Sequence, residues 1–480
     1  MSPGKDTILV SMRINETLVP GDFIPKLEKF WYLSGEKIRL IDGEYDPAEG
    51  SPVFTVKGKY TTRGWTEWTQ GFQFGSALLQ FDATGDPWFL EYGRTRTLSR
   101  MAPHISHTGV HDHGFNNIST YGNLLRLMLE GKIPMDPWEK HFYELALKIS
   151  GAVQAGRWTK TGEGGFIHSF NGPHSLFVDT LRTIRVLMVS HMLGHVLQGE
   201  GDVKIDLMER ALQHARATAE CSVYYGKGRD GYDVRGRTAH ESIFNTNDGQ
   251  YRCPNAQQGF SGYTTWTRGL AWAMLGFAEE LELAARLDDA MLDPHGGRQS
   301  VEGFMLEAAR ATCDFYMEHS AADGIPYWDT GAPGLHALKG WRERDADPFN
   351  PLEPVDSSAA AIGAQGLLRL GNYLERKAPG QGKRYWQAGL TVMDTLLEEP
   401  YLSTGTTHQG ILLHSIYHQP NAWDHRPDPA LVAHGESSMW GDYHVREAAL
   451  YLSRIAGEEP YYTYFSCVDP QIKSSAWIQG

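Results

Sequence analysis

The stretch Leu78-Leu79-Gln80-Phe81-Asp82-Ala83-Thr84-Gly85-Asp86-Pro87-Trp88-Phe89-Leu90 decides how this chain reads. Apolar residues at helical spacing stop at a polar Gly/Asp turn, and a second apolar run begins at once. The pattern returns along the chain. Val186 to Gly201-Asp202 leads to Leu207-Met208 and Ala211-Leu212, and Leu275 to Leu287 leads across Pro294-His295-Gly296-Gly297 to Phe304-Met305 and Ala308-Ala309. Leu367 to Leu374 leads across Pro379-Gly380-Gln381-Gly382 to Tyr385-Trp386 and Ala388-Gly389. Further helical runs fall at Leu124 to Leu129, Leu145 to Leu147 and Leu181 to Val196. Alternating patterns are short and few, the best being Val53 to Val56 and Tyr232 to Arg237.

These units are spaced further apart than the ~34–47 residues of the usual α-solenoid repeats. Each must bury its apolar face on its neighbours, which predicts an all-α, closed ring of helical hairpins. No low-complexity linker divides the chain, so one domain over 31–480 is expected, with an N-terminal extension over 1–30. Loops such as Gly114-Phe115-Asn116-Asn117, Gly172-Pro173-His174, Asp329-Thr330-Gly331 and Gly435-Glu436-Ser437-Ser438 precede helices and hold most of the His, Asp and Trp. One end of the ring is therefore expected to be the functional mouth.

With 58 acidic against 44 basic residues among 480, the net charge of −14 argues against nucleic acid as the main partner. Cys221, Cys253, Cys313 and Cys467 lack paired spacing, so neither a disulfide framework nor a zinc ribbon is expected. The first residues show no leader-type apolar core, and no run approaches the ~20 apolar residues of a membrane span. A cytoplasmic protein with no membrane partner is expected, or a periplasmic one if a leader has been removed.

The segment Thr264-Thr265-Trp266-Thr267-Arg268-Gly269-Leu270-Ala271-Trp272 opens an apolar helix yet carries an arginine. An unpaired guanidinium in such a place is expensive, so Arg268 requires an anion from the protein or from a substrate. Trp272 shares its helix face, and a cation beside an aromatic plane suits a sugar acid. His111-Asp112-His113 precedes another helix. Asp112 reads as an N-cap or a group for proton chemistry, and no metal is expected because no third ligand completes a known spacing. Asp179, between apolar neighbours, reads as an N-cap or as a general acid whose pKa burial raises. As a pair, Asp112 and Asp179 suit glycoside chemistry. Asp356-Ser357-Ser358 reads as a structural N-cap.

In their order and spacing these residues resemble the unsaturated glucuronyl hydrolases of glycoside hydrolase family 88, with the related family 105 behind. The resemblance runs from Trp68 to Leu450. It rests on Trp68-Thr69-Gln70-Gly71-Phe72, His111-Asp112 with Gly114-Phe115, Asp179, Gln258-Gly259-Phe260, Thr265 to Trp272, Pro326 to Asp329, Asp356 to Ala360 and Gly441-Asp442-Tyr443. It implies an (α/α)6 barrel that acts, without cofactor, on the 4,5-unsaturated uronic acid that lyases leave at a non-reducing end of a small oligosaccharide. It implies Asp179 as general acid and base and Asp112 as its paired carboxylate. Trp68 and Trp272 would stack on the sugar, Gln258 and Arg268 would hold its polar groups, and His240 and Ser438 fall near substrate-binding positions. Three departures stand out: His113 replaces a leucine, Thr183 an asparagine, and Arg182 and Arg185 lie on a normally apolar helix. The arginines would serve a sulfated or longer substrate, or pair with acidic neighbours. The competing readings are a conventional glycosidase, a sugar epimerase using His111 and His113, and a non-catalytic sugar binder.

Overall fold

The computed structural model describes residues 12–64, 67–162 and 164–468. Six inner helical segments form the ring: Gln70–Thr84, the run 113–129, the run 180–192, Thr267–Ala284, Ser357–Lys377 and Met439–Ala456. Each packs on the next, and the last returns to the first. Outside them lie Ile24–Glu44, Pro87–Arg100, Pro137–Gly156, Leu207–Cys221, Gly297–His319 and Lys383–Leu396. This is the expected (α/α)6 barrel. Helix Ile24–Glu44 packs on Gln70–Thr84 and Met439–Ala456, so residue 30 falls inside an outer helix of the barrel.

The turn at 84–87 shows how the sequence makes a hairpin. Gly85 takes a left-handed conformation (φ 70°) that ends the first helix. Asp86 caps the second by accepting from the Trp88 N–H, and Pro87 fills the first turn, where no N–H partner exists. Asp206 caps Leu207–Cys221 and Asp136 caps Pro137–Gly156 in the same way.

The strand expected at Val53 to Val56 forms, as Phe54–Val56 paired with Lys59–Thr61. Tyr232 to Arg237 is not a strand. The Asp233 carboxylate gathers the N–H groups of Gly226, Lys227 and Arg229 into a turn, and Gly236 (φ 86°) sits where a Cβ would strike the Ala311 carbonyl. A three-stranded sheet that periodicity did not reveal, Ser175–Phe177, Glu241–Asn245 and Gln250–Asn255, lies at the mouth.

The barrel interior is charged. Arg182 pairs with Glu279 (3.0 Å) and Glu447 (2.6 Å), and Arg369 pairs with Glu282 (2.6 Å). Arg185 lies 3.9 Å from Glu279. Arg182 and Arg185 thus meet protein carboxylates and not a substrate, because they lie on the buried face of an inner helix. Glu280 is different, since it accepts a hydrogen bond from the Tyr464 hydroxyl (2.9 Å) and burial pushes its pKa up to about 8. The folded state then holds a proton that the unfolded state releases near pH 4.5, so this group withdraws stability as pH rises from there through about 8. Glu280→Gln, which keeps an acceptor for Tyr464, should match the wild-type Tm near pH 5 and exceed it at pH 9. Equal Tm values across that range would show that Glu280 does not titrate so high.

Candidate active site

The sheet at the mouth builds the site. Phe177 lies opposite Glu241, and the Val178 N–H donates to the His240 carbonyl at 2.9 Å. That register sets Asp179, just past one strand, beside His240, just before the other. Asp112 and Asp179 both stand at helix starts, where capping is the ordinary use of an aspartate. Neither side chain makes a cap bond, and both are buried. Two carboxylates are therefore held out of water without a structural use at their own helices.

Asp179 Oδ2 accepts from His111 Nε2 at 2.9 Å. Its Oδ1 lies 3.7 Å from His240 Nε2, beyond hydrogen-bond reach, and neither of these two atoms has a hydrogen-bond partner. His240 Nδ1 accepts from the N–H groups of Gln257 (3.0 Å) and Gln258 (3.2 Å), which fixes the proton on Nε2. Asp112 Oδ1 is 3.7 Å from His111 Nε2. The His111 ring stacks on Phe170 and meets Phe177 edge-on.

Burial pushes Asp179 up, as expected, but the His111 and His240 imidazoles outweigh it and hold the carboxyl well below its usual range. The sequence-based expectation of a raised Asp179 is corrected for the unliganded protein. Burial instead raises Asp112, where His111 opposes the effect and Asp179 reinforces it. Burial disfavours charge on His111, yet the two carboxylates win and raise it.

Trp68, Phe115, Phe170, Phe177, Trp266, Trp272, Tyr417 and Trp423 form the cavity walls around Asp112 and Asp179, with Gln257, Gln258, Arg268 and His418. Trp68 is half-buried and stacks on Trp440 (centroids 5.1 Å apart), whereas Trp272 is nearly enclosed by Phe115 and His444. Arg268 answers the question its helix posed. Its Nη1 donates to Asp356 (2.8 Å) and to the Ile416 carbonyl, and its Nη2 to Gln258 Oε1 (2.9 Å) and the Tyr417 carbonyl (2.8 Å). The Trp266 and Trp440 rings flank it at 4.5 and 4.9 Å. The fork is already engaged by the protein, so the expected two-bond grip on a sugar carboxylate is not available. Asp356 also caps its own helix, as its sequence suggested. Ser438 is not among the residues lining the cavity. Its hydroxyl accepts from the Gly441 N–H at the start of helix Met439–Ala456.

The sequence departures find local reasons. His113 is buried, bonded to Ser150 (2.9 Å) and the His107 carbonyl (2.8 Å), and burial lowers its pKa to about 4, so it is a neutral packing residue. The Thr183 hydroxyl donates to the His111 carbonyl at 2.8 Å and so fixes the backbone that presents His111 and Asp112. The helices touch there, since a Cβ on Gly114 would lie 2.1 Å from the Thr183 carbonyl oxygen. Sequence reading missed the cavity roles of Tyr417, His418 and Trp423. They lie in a segment without regular periodicity, held by Asp424, whose carboxylate accepts from the N–H groups of Tyr417 (2.5 Å) and His418 (2.9 Å).

No protein-family model matches the sequence. The chain is 26% identical over 387 residues to the unsaturated glucuronyl hydrolase of Formosa agariphila, covering 80% of this chain and 79% of that one. It is 21% identical over 420 residues to the unsaturated chondroitin disaccharide hydrolase of Streptococcus agalactiae, covering 85% and 87%. The crystal structure of the unsaturated glucuronyl hydrolase from Bacillus sp. GL1 superposes with a TM-score of 0.67 at 20% identity, over 90% of this chain and 97% of that one. This chain is similar in sequence and in fold to unsaturated glucuronyl hydrolases.

Two histidines near His111 in sequence are engaged away from the carboxylate pair. His104 bonds Gln70 (2.9 Å) and Asn116 (3.2 Å), and His113 is packed away. A different trio, His111, Asp112 and Asp179, brings ligand atoms within 4.8 Å of one another and is the one group among the described residues that could hold a cation. The four cysteines are unpaired, and no described helix is long and apolar enough to cross a membrane.

Proposed function

We propose that this chain hydrolyses unsaturated uronyl oligosaccharides, removing a 4,5-unsaturated uronic acid from the non-reducing end by hydrating its vinyl ether double bond. The observation that carries this reading is Asp179, a buried carboxylate that caps nothing and stands between His111 and His240 at an aromatic cavity. Asp179 delivers a proton to C4, the developing positive charge at C5 and the ring oxygen takes up water, and Asp179 recovers a proton from that water. The C5 hemiketal then opens and releases the second sugar. No glycosidic bond is attacked at the anomeric carbon, so one acid–base carboxylate suffices.

Protonating C4 requires a proton on Asp179, which is depleted in the unliganded site. A uronate anion entering beside it raises its pKa, the direction the reaction needs, and His111 and Asp112 stand next to it as the source. Trp68 offers a half-buried ring to stack on the sugar, Gln258 keeps its amide N–H groups for a polar substrate group, and His240 Nε2 completes the cradle. Trp272 supports the wall. Arg268 holds Gln258 and the carbonyls of Ile416 and Tyr417 in place, acting on substrate through them.

The competing classes fit less well. An epimerase needs proton carriers on opposite faces of a sugar, but His111 and His240 both face Asp179 and His113 is packed away. A sugar binder has no use for two buried carboxylates without caps, because their desolvation is unfavourable. The test is incubation with lyase-generated unsaturated disaccharides. The absorbance of the double bond should fall as the second sugar appears, and a chelator should leave the rate unchanged. Activity lost to a chelator and restored by zinc would transfer the chemistry to a metal on His111, Asp112 and Asp179. Preserved absorbance with sugar release would instead mark a conventional glycosidase.

A further inference from the structure

Helix Pro137–Gly156 has two apolar faces. One is ordinary: Tyr143, Ala146, Leu147, Ser150, Gly151 and Gln154 are buried against the barrel. The other faces outward. Trp138, Phe142, Leu145 and Ile149 recur at the spacing of one helical stripe, with Met135 just before the helix, and they are 81%, 43%, 54%, 38% and 53% exposed. Single exposed apolar residues are normal, but a continuous stripe led by an open tryptophan is not. The stripe runs into an open cavity of about 470 Å³ whose apolar walls are Ile149, Ala152, Val153, Gly156 and Leu197, rimmed by Arg157 and His195.

We propose that this helix is the contact of a two-fold symmetric dimer, packing antiparallel on the same helix of a second copy of the chain. Three features select a second copy as the occupant. First, knob and hole lie on the same helix. In an antiparallel pair centred on Leu145, Phe142 meets the partner's Ile149, and Trp138 reaches the partner's Val153, where the cavity opens. A two-fold axis repeats both insertions, as an isologous interface must.

Second, charge is divided along the helix in a self-complementary way. Asp136, Glu139 and Glu144 outnumber Lys140 in its N-terminal half, whereas Lys148 and Arg157 stand toward its C-terminal end. Antiparallel pairing brings acidic end to basic end twice, and opposes the helix dipoles favourably. Third, the stripe is broad: five exposed apolar side chains lie together on one outer face, where the largest apolar patch on a typical monomer is about 300–600 Å² and often functional. Trp138 is the expected anchor, since a tryptophan entering a partner pocket is the commonest source of interface affinity.

Sedimentation velocity on the full-length chain tests this across a dilution series reaching low micromolar concentration. The wild type should sediment as a dimer of its 53.7 kDa chain. Leu145→Glu, which sets like charges across the axis, and Trp138→Ala, which empties the cavity, should each weaken dimerisation by at least about tenfold. Both positions are exposed, so Tm of the diluted chain and turnover per chain should not change. A wild type that stays monomeric overturns the proposal and leaves the stripe to another protein. A dimer that survives both substitutions also overturns it, by placing the interface elsewhere.

Discussion

Asp179→Asn should lower turnover by at least about 10²–10⁴-fold while sugar binding survives, because an amide neither gives nor takes the proton that general acid–base catalysis moves. The variant keeps an acceptor for His111 Nε2 and the same volume, so its Tm should stay close to that of the wild type. Asp112→Asn isolates the supporting role. It removes the negative charge 3.7 Å from His111 Nε2 that helps hold that imidazole charged, and the like charge that favours a proton on Asp179. Both losses have the same sign: His111 and Asp179 release their protons at lower pH. The alkaline limb of the kcat profile should therefore move to the acid side, with activity reduced but measurable. If Asp179→Asn retained substantial turnover and Asp112→Asn had none, the two roles would have to be exchanged.

Arg268→Met should cost about 3–5 kcal/mol of stability, the usual effect of removing one member of a buried ion pair. Asp356 would lose its cation, and the Ile416 and Tyr417 carbonyls and Gln258 would lose their donor together. Lysine should not rescue it, since one ammonium cannot reach four acceptors arranged around a planar fork. The measurement is thermal unfolding beside KM. A fall of several degrees in Tm, with KM raised through the displaced Gln258, is the expected result. A variant with wild-type Tm and a greatly raised KM would make Arg268 a direct ligand of the sugar acid.

The sequence alone determined the ring. Apolar periodicity broken by Gly/Asp turns is local chemistry, and each hairpin needs neighbours to bury its face, so Thr84-Gly85-Asp86-Pro87 already carries its own stop and start signals. It also marked Asp112 and Asp179, because aspartates at the edge of apolar helices have few uses. Whether they cap is a question of side-chain direction, which sequence does not encode, and only the folded chain shows that they do not. Arg268 makes the same point from the other side. Its need for an anion was legible from its apolar surroundings, but the anion turned out to be Asp356, brought there by packing between two inner helices. The protonation state of Asp179 was read from burial alone and came out reversed, since His111 and His240 reach it only through helix and sheet contacts absent from any local pattern. Ser438 belonged to the helix that follows it. Tyr417, His418 and Trp423 lie on a segment with no period to read, so only tertiary structure could bring them to the cavity. Periodicity fixes which faces must be buried, whereas the partners of a buried charge depend on residues distant in sequence that packing alone brings within a few ångströms.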